Sequence, residues 1–233
     1  MPMRSRKQQI TKIIVISFSL LVVPLMLLLM AVVLPAQGET PKHYKDLTFP
    51  PLPAIQLPKY ERFQLKNGAI VYLMEDHELP LVSGTALFRT GDRFEPADQV
   101  GLADLTTTVM RIGGTQKRSG DEINQFLEQR AASIEAGVTE AAASTGFSAL
   151  SEDLEGVFDL FAEVVRFPAF PQEKLDLAKV QQSGAIARRN DSPGSITGRE
   201  FAKLIYGNTS PYAGTVEYST LANINRADLA RFY

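Results

Sequence analysis

The chain has no cysteine and only two histidines, His43 and His77, among 233 residues. Without thiolates it has no Cys-ligated zinc, no iron–sulfur centre, no thiol nucleophile and no thiol redox role. An exported protein can do without disulfides when its core is large enough, and this length leaves room for one full domain. The scarcity of histidine limits hydrolytic chemistry as well. His43 lies in a proline-rich stretch, and neither histidine has a sequence relation to a nucleophilic Ser or Thr. His77 stands in Glu75-Asp76-His77-Glu78, whose side chains are all possible metal ligands; a solvated surface loop is the simpler reading. No P-loop, dinucleotide fingerprint or G-x-S-x-G elbow is present.

Charge is unevenly spread. Arg4, Arg6, Lys7 and Lys12 give the first 38 residues +4, which leaves −6 on the remainder of a chain whose formal net charge is −2. An acidic remainder without an Arg/Lys cluster argues against a nucleic-acid partner.

What is present begins with a long apolar run. Ile13 to Leu34 is uncharged over 22 residues and is interrupted only by Ser17, Ser19 and Pro24. It is long enough to cross a bilayer as a helix, with the basic residues before it on the cytoplasmic side. Leu34-Pro35-Ala36 before Gln37 offers a signal-cleavage point instead; the length of the run favours a retained anchor. Residues 1–12 therefore read as a basic cytoplasmic region and 13–34 as a transmembrane anchor or signal segment. Residues 35–59 are a spacer with prolines at 41, 50, 51, 53 and 58. Such a segment either stands as a stiff extended stalk or, over Phe49 to Leu57, wraps the domain as a strap.

The folded domain is expected over 60–233. Phe63, Leu65 and Ile70 to Met74 flank Lys66-Asn67-Gly68, which reads as a hairpin turn with positive φ at both Asn67 and Gly68. Pro80 to Phe88 supplies the next strand, followed by a polar loop from Arg89 to Val100. Ser119 with Glu122 forms a capping-box pattern that opens a helix through Ile123, Phe126, Leu127 and Arg130. Within Ala132 to Leu150, Val138, Glu140, Ala142 and Ser144 alternate with Thr139, Ala141, Ala143 and Thr145, the pattern of a strand with unlike faces. Ser151 is placed to cap a helix to Val165 whose stripe is Leu154, Val157, Phe158, Phe161, Ala162 and Val165. Further helices are expected over Glu173 to Arg189 and from Ser195 to Leu204, separated by a turn at Asn190 to Gly194.

The most informative stretch is Gly101 to Thr115, GLADLTTTVMRIGGT. Leu102, Ala103, Leu105, Val109, Met110 and Ile112 recur at helical spacing, and Gly113 and Gly114 stop the helix. Asp104 and Thr108 lie one turn apart, the spacing from which two imidazoles converge on zinc. Thr108 offers only a neutral hydroxyl, however, and Thr107 cannot take a proton from metal-bound water as a carboxylate does.

This stretch resembles the helix of the insulinase and mitochondrial-processing-peptidase family (peptidase family M16), which reads roughly G-L-A-H-F-L-E-H and carries the H-x-x-E-H signature. In that frame the two ligand histidines fall on Asp104 and Thr108 and the base glutamate falls on Thr107. The family's third ligand, a glutamate about eighty residues beyond the first histidine, falls near Gly184, and no acidic residue lies between Lys179 and Arg189. Other stretches resemble the family too: Leu65-x-Asn67-Gly68, Gly91 with Glu95, Tyr206-Gly207 to Pro211-Tyr212, and Ile224-x-Arg226-x-Asp228-Leu229.

The resemblance implies an α+β fold, a mainly antiparallel sheet packed against helices, with the domain incomplete at its C-terminal end. It implies a relic of the catalytic motif at Asp104, Thr107, Thr108 and Gly184, with no catalytic residue, no metal and no cofactor. The implied partners are a zinc-bearing M16-like subunit and an extended peptide, which in the family pairs with a strand edge, here expected at Val138, Glu140, Ala142 and Ser144. The expected role is that of a non-catalytic subunit at the outer face of a bacterial inner membrane, or in the periplasm after signal cleavage. A divergent zinc peptidase and a peptide-binding scaffold without proteolysis are the alternatives.

Overall fold

A computed structural model describes residues 43–54 and 58–233. The chain divides into two compact units, Met1–Lys59 and Tyr60–Tyr233. The apolar run at 13–34 and the cleavage point beside it lie outside the described residues. Among the described residues no helix is long and apolar enough to cross a membrane.

In the first unit, Tyr44–Asp46 forms a single 3-10 turn. His43 caps it, its Nδ1 accepting from Lys45 N at 3.2 Å, so this imidazole has a local structural use.

The second unit opens with a hairpin of β1 (Glu61–Gln64) and β2 (Ile70–Leu73). Its turn differs from the expected pair of positive-φ residues: Gly68 alone takes positive φ, at 88°, while Asn67 does not. Leu65 N donates to Ala69 O at 2.8 Å and Gly68 N to Leu65 O at 2.9 Å. The connection is thus a three-residue loop closed by a left-handed glycine, and Asn67 serves through its side chain, accepting from Ala69 N at 3.1 Å.

Next come β3 (Leu81–Phe88), α1 (Leu102–Ile112), α2 (Gly120–Glu128), β4 (Ser133–Val138), β5 (Ala143–Leu150) and α3 (Leu154–Arg166). They are followed by α4 (Gln172–Arg188), α5 (Pro193–Tyr206), α6 (Tyr218–Asn223) and α7 (Arg226–Phe232). The antiparallel sheet has the order β3-β5-β4. Along β5 the alternate residues Ala143, Thr145, Phe147 and Ala149 are buried, as the two-residue period of a strand requires when one face is covered. This is the mixed architecture of helices and antiparallel sheet that the sequence implies.

The capping box at Ser119 forms as expected: Ser119 Oγ accepts from Glu122 N at 3.2 Å and Glu122 accepts from Ser119 N at 2.7 Å. Ser151 does not act as a cap. Ser151–Asp153 make a 3-10 turn without a side-chain cap, and Asp153 instead pairs with Arg130 at 3.3 Å. The buried face of α3 is also rotated from the expected stripe. Val157, Leu160, Phe161 and Val164 are buried, while Phe158 is 49% exposed and packs edge-on against Phe147. A broad apolar face offers several nearly equivalent rotations, and contact with the sheet selects one of them.

The core is organised on α1, whose Leu105, Val109, Leu102 and Met110 are buried against β4, α4 and α7. From the other side α4 contributes Leu175, Ala178 and Ile186. Each fully buried leucine of this kind is worth about 1.5–3 kcal/mol.

Candidate functional site

The N-terminus of α1 is held by one carboxylate. Glu95 accepts from Gly101 N at 3.0 Å and from Ala103 N at 2.6 Å, satisfying two of the amides that a helix start leaves unpaired. Burial raises the Glu95 carboxyl above the usual glutamate range, the two N–H groups pull it down, and the charges on Asp92 and Asp104 push it up. Asp92 is raised too, by burial and by Glu140.

One turn into α1, Asp104 and Thr108 face α4 across a cleft of about 220 Å³, where Ala178, Gln181, Gln182 and Ala185 form the opposite wall. Those four residues have the spacing of one helix face. The Gln182 amide donates to the Asp104 carboxylate, joining the two helices. Thr107 is turned away from this cleft. It is buried and its hydroxyl donates back to Ala103 O at 3.2 Å and Asp104 O at 3.1 Å.

The α4 residue that meets Asp104 is thus Gln182, two positions before Gly184. A Cβ on Gly184 would meet nothing within 4 Å. Two residues rotate a helix by about 200°, so Gly184 is directed away from the cleft face. The usable signal was the Ala178-Gln181-Gln182-Ala185 spacing, which marks the face, whereas counting from Asp104 marks only the neighbourhood.

The donor set does not suit zinc. Zinc is held by imidazole nitrogen, thiolate or carboxylate, and here a single carboxylate stands among a hydroxyl and two amides. Among the described residues no group of three or more His, Cys, Asp or Glu is placed to hold a metal ion. His77 lies in an exposed turn 3.5 Å from Glu75, and Asp76 accepts from Glu78 N at 3.0 Å. What the cleft does offer is a clasp that fastens α1 to α4 by a hydrogen bond.

The expected groove strand is divided. Val138 ends β4, Glu140 and Ala142 lie in the connecting turn, and Ser144 belongs to β5, the central strand of the sheet. The alternation of small and polar residues runs through the turn without a break, so it gave no sign of the corner. The neighbouring loop fixes that corner: Asp92 N donates to Thr139 O at 3.1 Å and Arg93 N to Glu140 O at 3.3 Å. Gly91 permits this approach, since a Cβ there would lie 2.3 Å from Glu140 O. The edge strand beside α1 is β4, and α1 is tied to it by Arg111, which donates to Ile134 O and to Asn124 Oδ1.

Comparison with known proteins gives a consistent result. The family described as Insulinase (Peptidase family M16) matches residues 71–199. Human and bovine insulin-degrading enzyme are each 26% identical over 118 residues, which is 51% of this chain and 12% of theirs. The chain therefore spans about an eighth of the length of these relatives. Among solved structures, the peptidase M16 inactive domain from Pseudomonas fluorescens is similar at TM-score 0.69 and 28% identity, covering 74% of this chain and 42% of that one. The periplasmic protease PqqL from Escherichia coli shares the fold at TM-score 0.64 and 16% identity, covering 84% of this chain and 23% of that one. A protease from Helicobacter pylori shares it at TM-score 0.64 and 19% identity, covering 76% and 43%. With Asp104, Thr107 and Thr108 standing in the H-x-x-E-H frame, the chain belongs to the insulinase family, peptidase family M16, as a non-catalytic member.

Proposed function

We propose that this chain is a supporting subunit of an M16-type peptidase assembly, pairing with a zinc-bearing counterpart and helping to hold an extended peptide. One observation carries the reading. The frame around the cleft resembles the family's, from the Glu95 clamp through α1 to α4, while the residues that line it include Asp104, Thr108 and Gln182, the first and last of which bond to each other. A chain kept folded around such a cleft retains its shape for binding rather than for cleavage. The peptide is assigned to the outer edge of β4, where main-chain hydrogen bonds give affinity without sequence demands. The family-wide zinc chemistry belongs to the partner in this reading.

Residues 13–34 attach the assembly to the bacterial inner membrane, 35–59 span the gap, and 60–233 lie on the extracytoplasmic side. The periplasmic location of a protease with the same fold is compatible with that placement.

The test is gentle detergent extraction of the native protein, followed by mass spectrometry of every co-purifying chain and metal analysis of each. A second family member carrying zinc beside this zinc-free chain is the expected result. A monomer without such a partner contradicts the proposal.

A further inference from the structure

The outer edge of β4 is not uniform along its length. Thr139 N donates to Ala142 O at 2.8 Å across the turn that joins β4 to β5, and this sets the phase of the ladder. Bonded pairs of an antiparallel ladder recur at every second residue, so they are Gly137 with Ser144, Glu135 with Gly146 and Ser133 with Ser148. Ile134, Ala136 and Val138 therefore turn their N–H and C=O groups outward. The bond that Arg111 of α1 makes to Ile134 O agrees with that phase.

The outward positions differ in what covers them. At Ile134 the carbonyl is taken by the Arg111 Nε–H. Ala136 and Val138 are half-buried, and outside the ladder their backbone groups have no partner among the described residues. A strand added to this edge thus pairs at Val138 and Ala136 and stops short of Ile134 O, where Arg111 stands. Arg111 is half-buried, its Nη1 donates to Asn124 Oδ1 at 3.0 Å, and it forms no ion pair among the described residues. Three of its five N–H donors are left over, on a charge withdrawn from water without a counter-charge. The group that completes this end of the edge is an anion, and the planar fork of a guanidinium matches a carboxylate.

The direction of the added strand says which carboxylate arrives there. Both ladders of the sheet are antiparallel, and that pairing is the more stable per residue. Because β4 runs from Ser133 to Val138, an antiparallel peptide enters at Val138 and brings its C-terminal end to Arg111. A parallel peptide would bring a positively charged amino terminus there instead. We infer that Arg111 is the carboxylate-binding end of the β4 edge, so that the edge takes peptides by their C-terminal ends, antiparallel to β4. This rests on the assignment of an extended peptide to that edge and adds its polarity and its terminus.

The test is calorimetric titration of the full chain with three acetylated peptides: Thr-Val-Thr-Val-Ala as the free acid, the same peptide as its C-terminal amide, and the amide with Glu in place of the final Ala. The wild type is expected to bind the free acid about tenfold more tightly than the plain amide. Arg111→Gln should remove that preference and Arg111→Lys should keep part of it. The acid-to-amide ratio is read on the wild type, so it decides the matter even where a variant fails to fold. Equal binding of the acid and the plain amide, or a preference that survives Arg111→Gln, overturns the inference and leaves the edge assignment standing. A Glu-bearing amide that matches the free acid overturns capture by the terminus in favour of an acidic side chain. Failure of all three peptides to bind overturns the inference and the edge assignment together.

Discussion

The start of α1 and its next turn are held by different kinds of group. At the start, a buried carboxylate still grips two backbone amides, with Glu95 on Gly101 and Ala103. One turn later, a carboxylate and a hydroxyl of α1 face two amides of α4, and the Gln182–Asp104 bond clasps the helices without suiting zinc. The first arrangement fastens the start of the helix, and the second occupies the frame that resembles the family's H-x-x-E-H helix. The difference teaches that the groups holding this scaffold are not the groups that line the cleft, so the cleft residues can vary while the cleft persists.

If that separation holds, damage to the scaffold should far exceed damage to the cleft. Leu105→Ala, at a fully buried position of α1, should cost about 2–5 kcal/mol of unfolding free energy in urea titrations. A loss under about 1 kcal/mol would mean that α1 is not the centre of the core.

The Glu95 clamp should act through pH. Its folded-state carboxyl is raised above the ordinary glutamate value, so the folded protein binds more protons than the unfolded one between the two values. The stability linked to this group is fully present below the unfolded value and is lost as pH rises through the folded one. Urea midpoints measured from about pH 4 to about pH 7 should therefore show a downward contribution that Glu95→Gln removes. Asp92 is raised as well and contributes in the same direction, so a partial residual slope is expected in that variant.

The smallest effect should come from the cleft itself. A double-mutant cycle between Asp104→Ala and Gln182→Ala should give a coupling of about 1 kcal/mol, the scale of one hydrogen bond at a half-buried site. Zero coupling would remove the clasp.

Much of the fold was legible in the sequence because the signals were local. The Ser119 and Glu122 capping box, the apolar spacing of Leu102, Leu105 and Val109, and the strand from Pro80 to Phe88 each depend on neighbours within a turn or two. The failures lay where distant segments decide. The corner at Glu140 exists because the loop at Asp92 and Arg93 docks on it, and Phe158 is turned outward by how α3 meets the sheet. The cleft was half legible. Asp104 and Thr108 follow from spacing on one helix, but Gln182 depends on the phase of α4 relative to α1, which an error of two residues reverses.

That phase also supplies the most direct test, equilibrium zinc titration of the wild type beside two redesigned cleft variants. Asp104→His with Thr108→His and Gln182→Glu should bind one equivalent of zinc tightly, since it places two imidazoles and a carboxylate facing one another. The wild type should retain no zinc, and the same histidine pair combined with Gly184→Glu should gain far less. Stoichiometric zinc on the wild type, or equal binding with the carboxylate at 182 or 184, would contradict a cleft whose frame resembles the family's while its own residues do not suit zinc.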